Sequence, residues 1–384
     1  FGDRGETHDR RDPAVAGHLL TVPDRDAWGA PGGLPRLATL PNHREFVASD
    51  GARIPFVAQN AAAVVPGLPR VSTRALGEFL AAMRSRGLAP ALLPVPEHGA
   101  LAEHGLRLLR VGAEGIVALP GFSLRGGARK TVRQSASRLR RFGCSVDILP
   151  PPHAPALLQA VRRVSDAWLQ GRGLPERRLG CGWFHEPYIA SCRLAVVRDR
   201  ENRILAFANL LDDHDPAEGT LDLIRHLPDA PAGTMDALFV RVAETYRREG
   251  RARFSLGFTP LAGLDPARPL ERALLWLGRR GRRYYDAFGL AAFKSKFRPV
   301  WEPRYLAVRR RDFPAVAWAL TENQAGPVFA AAWRGYLGRR VDILRLRRMD
   351  DARQFLAEYP VRPPVEQDNP NPLGQGVSLH PHQA

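Results

Sequence analysis

"FKSKFRPVWEPRYLAV", residues 293–308, sets two lysines, two arginines, a glutamate, a tryptophan and a tyrosine among Phe and Pro before running into a Leu-Ala-Val strand. A surface helix would scatter such groups around its circumference. Here Pro299 and Pro303 break any helical run and impose an extended or turned backbone. The stretch therefore predicts a strand that carries placed charges, with Glu302 and Arg304 in a fixed ionic cluster and Lys294 and Lys296 just before it. Trp301 and Tyr305 read either as core aromatics or as the side of a groove, and the two lysines either as site residues or as surface side chains lying along apolar neighbours.

A second charged strand end lies upstream in "LDLIRHLPDAPAGTMDALF", residues 221–239. Asp222 and Arg225 interrupt an otherwise apolar strand, where charge is costly unless it is paired or serves a site. Pro231 and Gly233 then turn the chain into a helix with Asp236 in its first turn, a position that suits a capping acid, while the strand-end carboxylate and guanidinium facing that helix start suit a receptor for a cationic amine and an anion.

"GFSLRGGARKTVRQSASRLRRFG", residues 121–143, predicts a helix with Val132 and Leu139 inward and Gly143 as its stop. Arg129, Lys130, Arg133, Arg138, Arg140 and Arg141 fill the rest of its surface, so a nucleic-acid backbone is the expected contact. Its glycines lack the spacing of a nucleotide-hydrolysing loop, although Gly126 and Gly127 can present backbone N–H groups to a phosphodiester.

Around these stretches the chain alternates strands and helices. "EFVASDGARIPFVAQNAAAVV" predicts strands and a hairpin, "TRALGEFLAAMRSRG" a helix with Leu76, Phe79, Leu80 and Met83 on one face, "APALLPV" a buried strand, and "LRLLRVGAEGIVALPGF" a strand pair. After residue 150 a helix is followed by three strands, a helix and a strand. The succession of strands, helix and strand occurs twice, which predicts an α+β fold of two similar lobes at residues 43–150 and 151–312. Residues 1–42 read as a linker or loosely attached arm, and residues 313–384 as a helical, then disordered, tail.

Composition bounds the function. A hydrophobic share of 45% over 384 residues supports a sizeable core, and a net charge of +17, mostly from arginine, points to nucleic acid or anionic lipid as partner. Cys144, Cys181 and Cys192 show no metal-ligand or disulfide spacing, and no Ser sits in a nucleophile elbow, so neither a metal nor a cofactor nor a hydrolase triad is expected. No run approaches the ~18 apolar residues of a membrane span.

Taken in order, the three quoted stretches together with "FSLGFTPLAGLD" and "ILAFANLL" resemble the cytosolic catalytic domain of bacterial phosphatidylglycerol lysyltransferases, the multiple peptide resistance factors. The likeness covers about residues 45–310. It implies tandem GNAT-type acyltransferase lobes, each a mixed sheet flanked by helices, with the active site in the second. It also implies transfer of an amino acid, lysine or alanine, from aminoacyl-tRNA to a hydroxyl of phosphatidylglycerol at the cytoplasmic face of the inner membrane. A membrane domain preceding this chain would be a further partner.

Asp222 and Arg225 match the family's Asp-Leu-x-Arg motif, and Lys294, Lys296, Glu302, Arg304 and Tyr305 its Lys-x-Lys-Phe and Trp-Glu-Pro-Arg-Tyr block. The resemblance thus makes Asp222, Arg225, Lys294, Lys296, Glu302 and Arg304 the expected catalytic groups. Asp236, Trp301 and Tyr305 are the expected substrate contacts, and the six basic residues of 129–141 the expected tRNA contacts. The basic "RRGRR" before Tyr284 and Tyr285 departs from the family pattern and leaves the transferred amino acid open. The rival readings are an N-acyltransferase using aminoacyl-tRNA or acyl-CoA on a peptide or small amine, and a non-catalytic nucleic-acid-binding protein.

Overall fold

The computed structural model describes Leu37 and residues 40–320, apart from Ala128, Leu174, Pro175, Gly180 and Tyr284. The expected arm up to residue 36 and the expected tail from residue 321 lie outside the described residues. Residues 313–320, at the start of that tail, are helical and bury Val316 and Ala319.

The first half runs β1 (His43–Val47), β2 (Arg53–Gln59), β3 (Ala62–Pro66), α1 (Thr73–Ser85), β4 (Ala89–Val95), α2 (Ala100–Glu103) and β5 (Arg107–Ala118). Helix α1 starts where the Ser72 hydroxyl accepts from Ala75 N (3.0 Å), which satisfies one of the N–H groups left open at a helix start. It buries Leu76, Phe79, Leu80 and Met83, the face its spacing predicts.

β5 departs from expectation, being one strand of 12 residues instead of a strand pair. Its glycines mark close approach, not turns: a side chain at Gly112 would strike the Thr259 carbonyl and the Phe258 ring, and one at Gly115 would meet Pro299 and Trp301.

The chain then passes through α3 (Lys130–Arg141), β6 (Ser145–Leu149), α4 (Pro155–Arg172), α5 (Glu186–Ala190), β7 (Arg193–Arg198), β8 (Ile204–Asp215), β9 (Glu218–His226), α6 (Thr234–Arg248), β10 (Arg253–Pro260), α7 (Pro269–Arg280), α8 (Ala287–Ser295) and β11 (Val300–Val308). The fold is α+β, a mixed sheet flanked by helices. β1, β2 and β3 pair antiparallel and β3 pairs parallel with β4; β7, β8 and β9 repeat the pattern, with β9 parallel to β10. Each parallel pair is bridged by a helix, α1 or α6, as a crossover requires.

The repeats are joined by exchanging their last strands. β11 pairs with β4, and β5 pairs with β10, so the sheet reads β1-β2-β3-β4-β11-β5-β10-β9-β8-β7-β6 without interruption. The expected division near residue 150 falls between β6 and α4, both in the far half of this continuous sheet. Residues 119–149 already belong to the far half, where α3 packs on α6 and β6 forms the sheet edge beside β7, while β11 returns to the first half. The physical reason is long-range strand pairing, which leaves no local mark in the sequence.

Core packs on both faces. Phe79 and Leu80 of α1 pack with Phe46 and Phe56 of the sheet, and Leu306, Val308 and Val316 lie on the opposite side of that half. Val132, Leu139, Phe239 and Phe254 join α3 and α6 to the second half, and Val161, Tyr188, Ile189 and Phe207 join α4 and α5 to its other face.

Gly112→Val tests the exchanged junction. Overpacking against a neighbouring strand costs about 1–3 kcal/mol, which lowers the thermal midpoint by several degrees. Gly99→Ala, where nothing lies within 4 Å of an added methyl, should leave the midpoint seen by circular dichroism unchanged.

Candidate functional site

β9 and β10 are paired at only three positions, Glu218 with Arg253, Gly219 with Phe254 and Thr220 with Ser255. Beyond Ser255 the register of β10 shifts, with Gly257 at φ +79, a conformation that a side chain would strain, and the pairing with β9 ends. A cavity of about 560 Å³ lies there, lined by Thr220 to His226 of β9 and Leu256 to Phe258 of β10. Met235, Phe239, Leu290 and Phe293 give it apolar walls, while Arg172, Arg177 and Arg225 give it cationic ones.

Lys294 enters this cavity from α8 and is buried. Its Nζ donates to the carbonyls of Gly257 (2.8 Å) and Phe258 (3.1 Å) and to Thr259 Oγ1 (3.0 Å). The lysine thereby satisfies carbonyls that the irregular part of β10 turns inward. All three acceptors are uncharged, and burial brings its pKa down from 10.5 to about 7.

Asp222 and Arg225 are three apart on β9, so strict alternation would put them on opposite faces of the sheet. The pairing with β8 shifts between Ala208 and Leu210, so that Asp222 and Leu223 together stand opposite Asn209. The buried Asn209 accepts from Leu223 N (2.8 Å) and so fixes the irregularity. Asp222 and Arg225 then both meet the α4–α5 side.

Asp222 accepts from Gly182 N (3.0 Å) and from the Tyr188 hydroxyl (2.6 Å), and burial pushes its pKa up. Arg225 donates to Ser165 Oγ and to Glu176 Oε1 (2.6 Å), with its guanidinium 5.2 Å from the Trp168 ring. Arg172 lies over the same ring at 4.4 Å, and Arg177 over Tyr285 at 4.1 Å.

Glu302 and Arg304 form the ionic cluster that the sequence suggests. Glu302 stands directly opposite Glu114 of β5, a like-charge pair that needs neutralising. Arg304 spans both, donating to Glu114 (2.7 Å) and Glu302 (3.0 Å). Arg253 then links Glu302 (2.7 Å) to Glu218 (2.8 Å), and Ser255 donates to the other Glu114 oxygen. The chain of charges crosses β9, β10, β11 and β5. Arg304, Glu114 and Glu218 reach the cavity wall; Glu302 does not line it.

The remaining expected site residues lie elsewhere. Lys296 pairs with the buried Asp236 (3.1 Å), tying the end of α8 to the first turn of α6, and neither lines the cavity. Trp301 packs over Gly115, and Tyr305 donates to Glu97 (3.4 Å); both are outside the cavity wall. On α3, Lys130, Arg138, Arg140 and Arg141 are exposed. Arg129 and Arg133 turn inward instead, onto the carbonyls of Phe297 (3.2 Å) and Gly126 (2.7 Å), where they hold the preceding loop.

Glu114 and Trp168 line the cavity and Glu176 holds Arg225 from behind its wall, three residues that the sequence patterns did not single out. Glu114 interrupts the apolar run "VGAEGIVAL" as Asp222 interrupts its strand, and Glu176 is the one acid in "GRGLPERRLG", so a signal exists for both acids. Glu176 Oε2 is buried with no hydrogen-bond partner among the described residues. No group of three His, Cys, Asp or Glu side chains among the described residues is placed to hold a metal.

Residues 37–308 match the family model described as phosphatidylglycerol lysyltransferase, C-terminal, and the chain belongs to that family. It is 29% identical over 303 residues to the phosphatidylglycerol lysyltransferase of Bacillus subtilis (strain 168), covering 76% of this chain and 35% of the relative. It is also 29% identical over 212 residues to the phosphatidylglycerol lysyltransferase of Staphylococcus aureus (strain MSSA476), covering 54% of this chain and 25% of that one. The chain thus spans about a third or less of these relatives' lengths. The solved structure of L-PGS from Bacillus licheniformis superposes with a TM-score of 0.66 at 30% identity, over 77% of this chain and 93% of that one. These likenesses do not favour the acyl-CoA, peptide-amine or non-catalytic readings.

Lys294 gives a pH signature. The unfolded lysine keeps its proton up to about 10.5 whereas the folded one releases it near 7, so the unfolded state binds more protons between these values. Stability contributed at this site is therefore smallest below pH 7 and grows as pH rises towards 10.5. In urea titrations at pH 6.5 and 9, wild type should gain on Lys294→Met at the higher pH. Parallel pH dependence of the two proteins would contradict the assignment.

Proposed function

We propose that the cavity between β9 and β10 transfers an amino acid from aminoacyl-tRNA to a hydroxyl of phosphatidylglycerol at the cytoplasmic membrane surface. The observation that carries this is one space combining arginines, apolar walls and a buried lysine. An anionic headgroup with acyl chains requires the first two. The aminoacyl ester is already activated, so the site must align it with the lipid hydroxyl and manage one proton and one developing oxyanion. The hydroxyl oxygen bonds to the ester carbonyl carbon, the bond to the tRNA ribose oxygen breaks, and the hydroxyl proton ends on that leaving oxygen.

Lys294, with its pKa brought near neutrality, is the group that carries this proton. Arg225 holds the substrate's negative charge, supported by Glu176, Ser165 and Trp168. Glu176 keeps Arg225 in place through its carboxylate and does not itself line the cavity. Arg304 and Glu302 keep the wall in place through their ion pairs. The exposed basic residues Lys130, Arg138, Arg140 and Arg141 contact the tRNA backbone.

Labelled lysyl- and alanyl-tRNA, incubated with phosphatidylglycerol vesicles and followed by lipid extraction, test the reaction. Label in the lipid is expected; label on a peptide amine instead would replace the acceptor. Lys294→Arg, which keeps charge but does not titrate, and Arg225→Ala should each lower turnover by about 10²- to 10³-fold. Lys296→Ala should lose stability with little change in turnover. Reversing Lys130, Arg138, Arg140 and Arg141 together should weaken tRNA binding and flatten its logarithmic salt dependence, by roughly 0.7 to 0.9 in slope for each phosphate no longer neutralised.

A further inference from the structure

Helix α7 buries only Glu271, whose carboxylate accepts from Asp265 N (2.6 Å). Its outer side carries Trp276, 53% exposed, with the Arg280 guanidinium 4.0 Å from the ring, and exposed Arg272 and Arg279. Leu270 is 42% exposed at its start. Residues 268–283 hold six arginines and a single acid. Isolated exposed apolar residues need no explanation, but a large aromatic and a leucine on one short cationic helix form an interfacial pattern.

The helix is also placed at the cavity. Pro260 before it and Tyr285, Asp286, Gly289 and Leu290 after it line that space, and Gly278 of α7 lies against Leu261 and Phe288. A lipid whose head reaches Lys294 while its chains stay in the bilayer needs this rim at the membrane surface. Among the described residues no helix is long and apolar enough to cross a membrane.

We propose that the outer face of α7 docks on an anionic bilayer, with Trp276 and Leu270 at headgroup depth and Arg272, Arg279 and Arg280 on lipid phosphates. This rests on the lipid-acceptor reading given above. An RNA backbone would engage the arginines and a base could stack on Trp276, but exposed leucine has no counterpart there, which favours the bilayer.

Flotation with phosphatidylglycerol vesicles and with uncharged phosphatidylcholine vesicles tests the surface. Wild type should bind the anionic vesicles. Trp276→Ala combined with Leu270→Ser should weaken that binding about tenfold, and the triple reversal of Arg272, Arg279 and Arg280 to Glu roughly 100-fold or more. Quenching of tryptophan emission by brominated lipid should drop in Trp276→Phe relative to wild type. Transfer to vesicular phosphatidylglycerol should fall in parallel with binding, while transfer to a short-chain phosphatidylglycerol dispersed as monomers stays at the wild-type rate. Unchanged flotation of the variants would overturn the proposal, as would variants that lose tRNA binding but still float with vesicles. If wild type floats but transfers to no lipid, the reaction is misassigned while the docking surface stands.

Discussion

β5 and β11 each complete the sheet of the other repeat, and the site depends on that exchange. With β11 between β4 and β5, the acids Glu302 and Glu114 face each other, and Arg304 and Arg253 are held between four strands to neutralise them. Removing one member would leave a partly buried charge without its partner, which is far more costly than losing an exposed surface pair. The two repeats therefore hold together through paired backbone and paired charge at the same place. The cavity wall at Arg304 and Glu114 is built from that junction.

A second constraint acts within the far repeat. Three residue pairs hold β9 to β10, and then irregularity in both β9 and β10 redirects side chains. One shift lets Asp222 and Arg225 share a face; the other turns the carbonyls of Gly257 and Phe258 onto Lys294. Polar groups that a regular strand would pair with its neighbour are satisfied here by side chains, in a space that can admit a ligand. Pre-organisation of this kind leaves little to rearrange when charge develops in a reaction.

Local patterns made much of the fold legible. The spacing of Leu76, Phe79, Leu80 and Met83 gives α1, and the charges that interrupt apolar strands point to Asp222, Arg225 and Arg304. What the sequence withheld is nonlocal. The glycines of β5 look like turn signals until β10 and β11 are known to press against them, and nothing local announces that β11 lies between β4 and β5. Lys294 and Lys296 are two residues apart and chemically alike, yet one faces the cavity and the other the Asp236 carboxylate. Only the turn that ends α8 separates them. Trp301 and Tyr305, prominent by type, pack against neighbouring strands and side chains outside the cavity, as aromatics in strands commonly do.

The proposed dependence of function on the gap between β9 and β10 is open to direct test by a phosphatidylglycerol analogue with a photoreactive diazirine on its glycerol head. After irradiation of the protein and mapping of labelled peptides by mass spectrometry, label should fall on residues 220–226 and 256–258 and on α8 near Lys294, and should be displaced by excess unlabelled phosphatidylglycerol. Displaceable label confined to another part of the molecule, such as the groove beside Arg163 and Arg203, would contradict it.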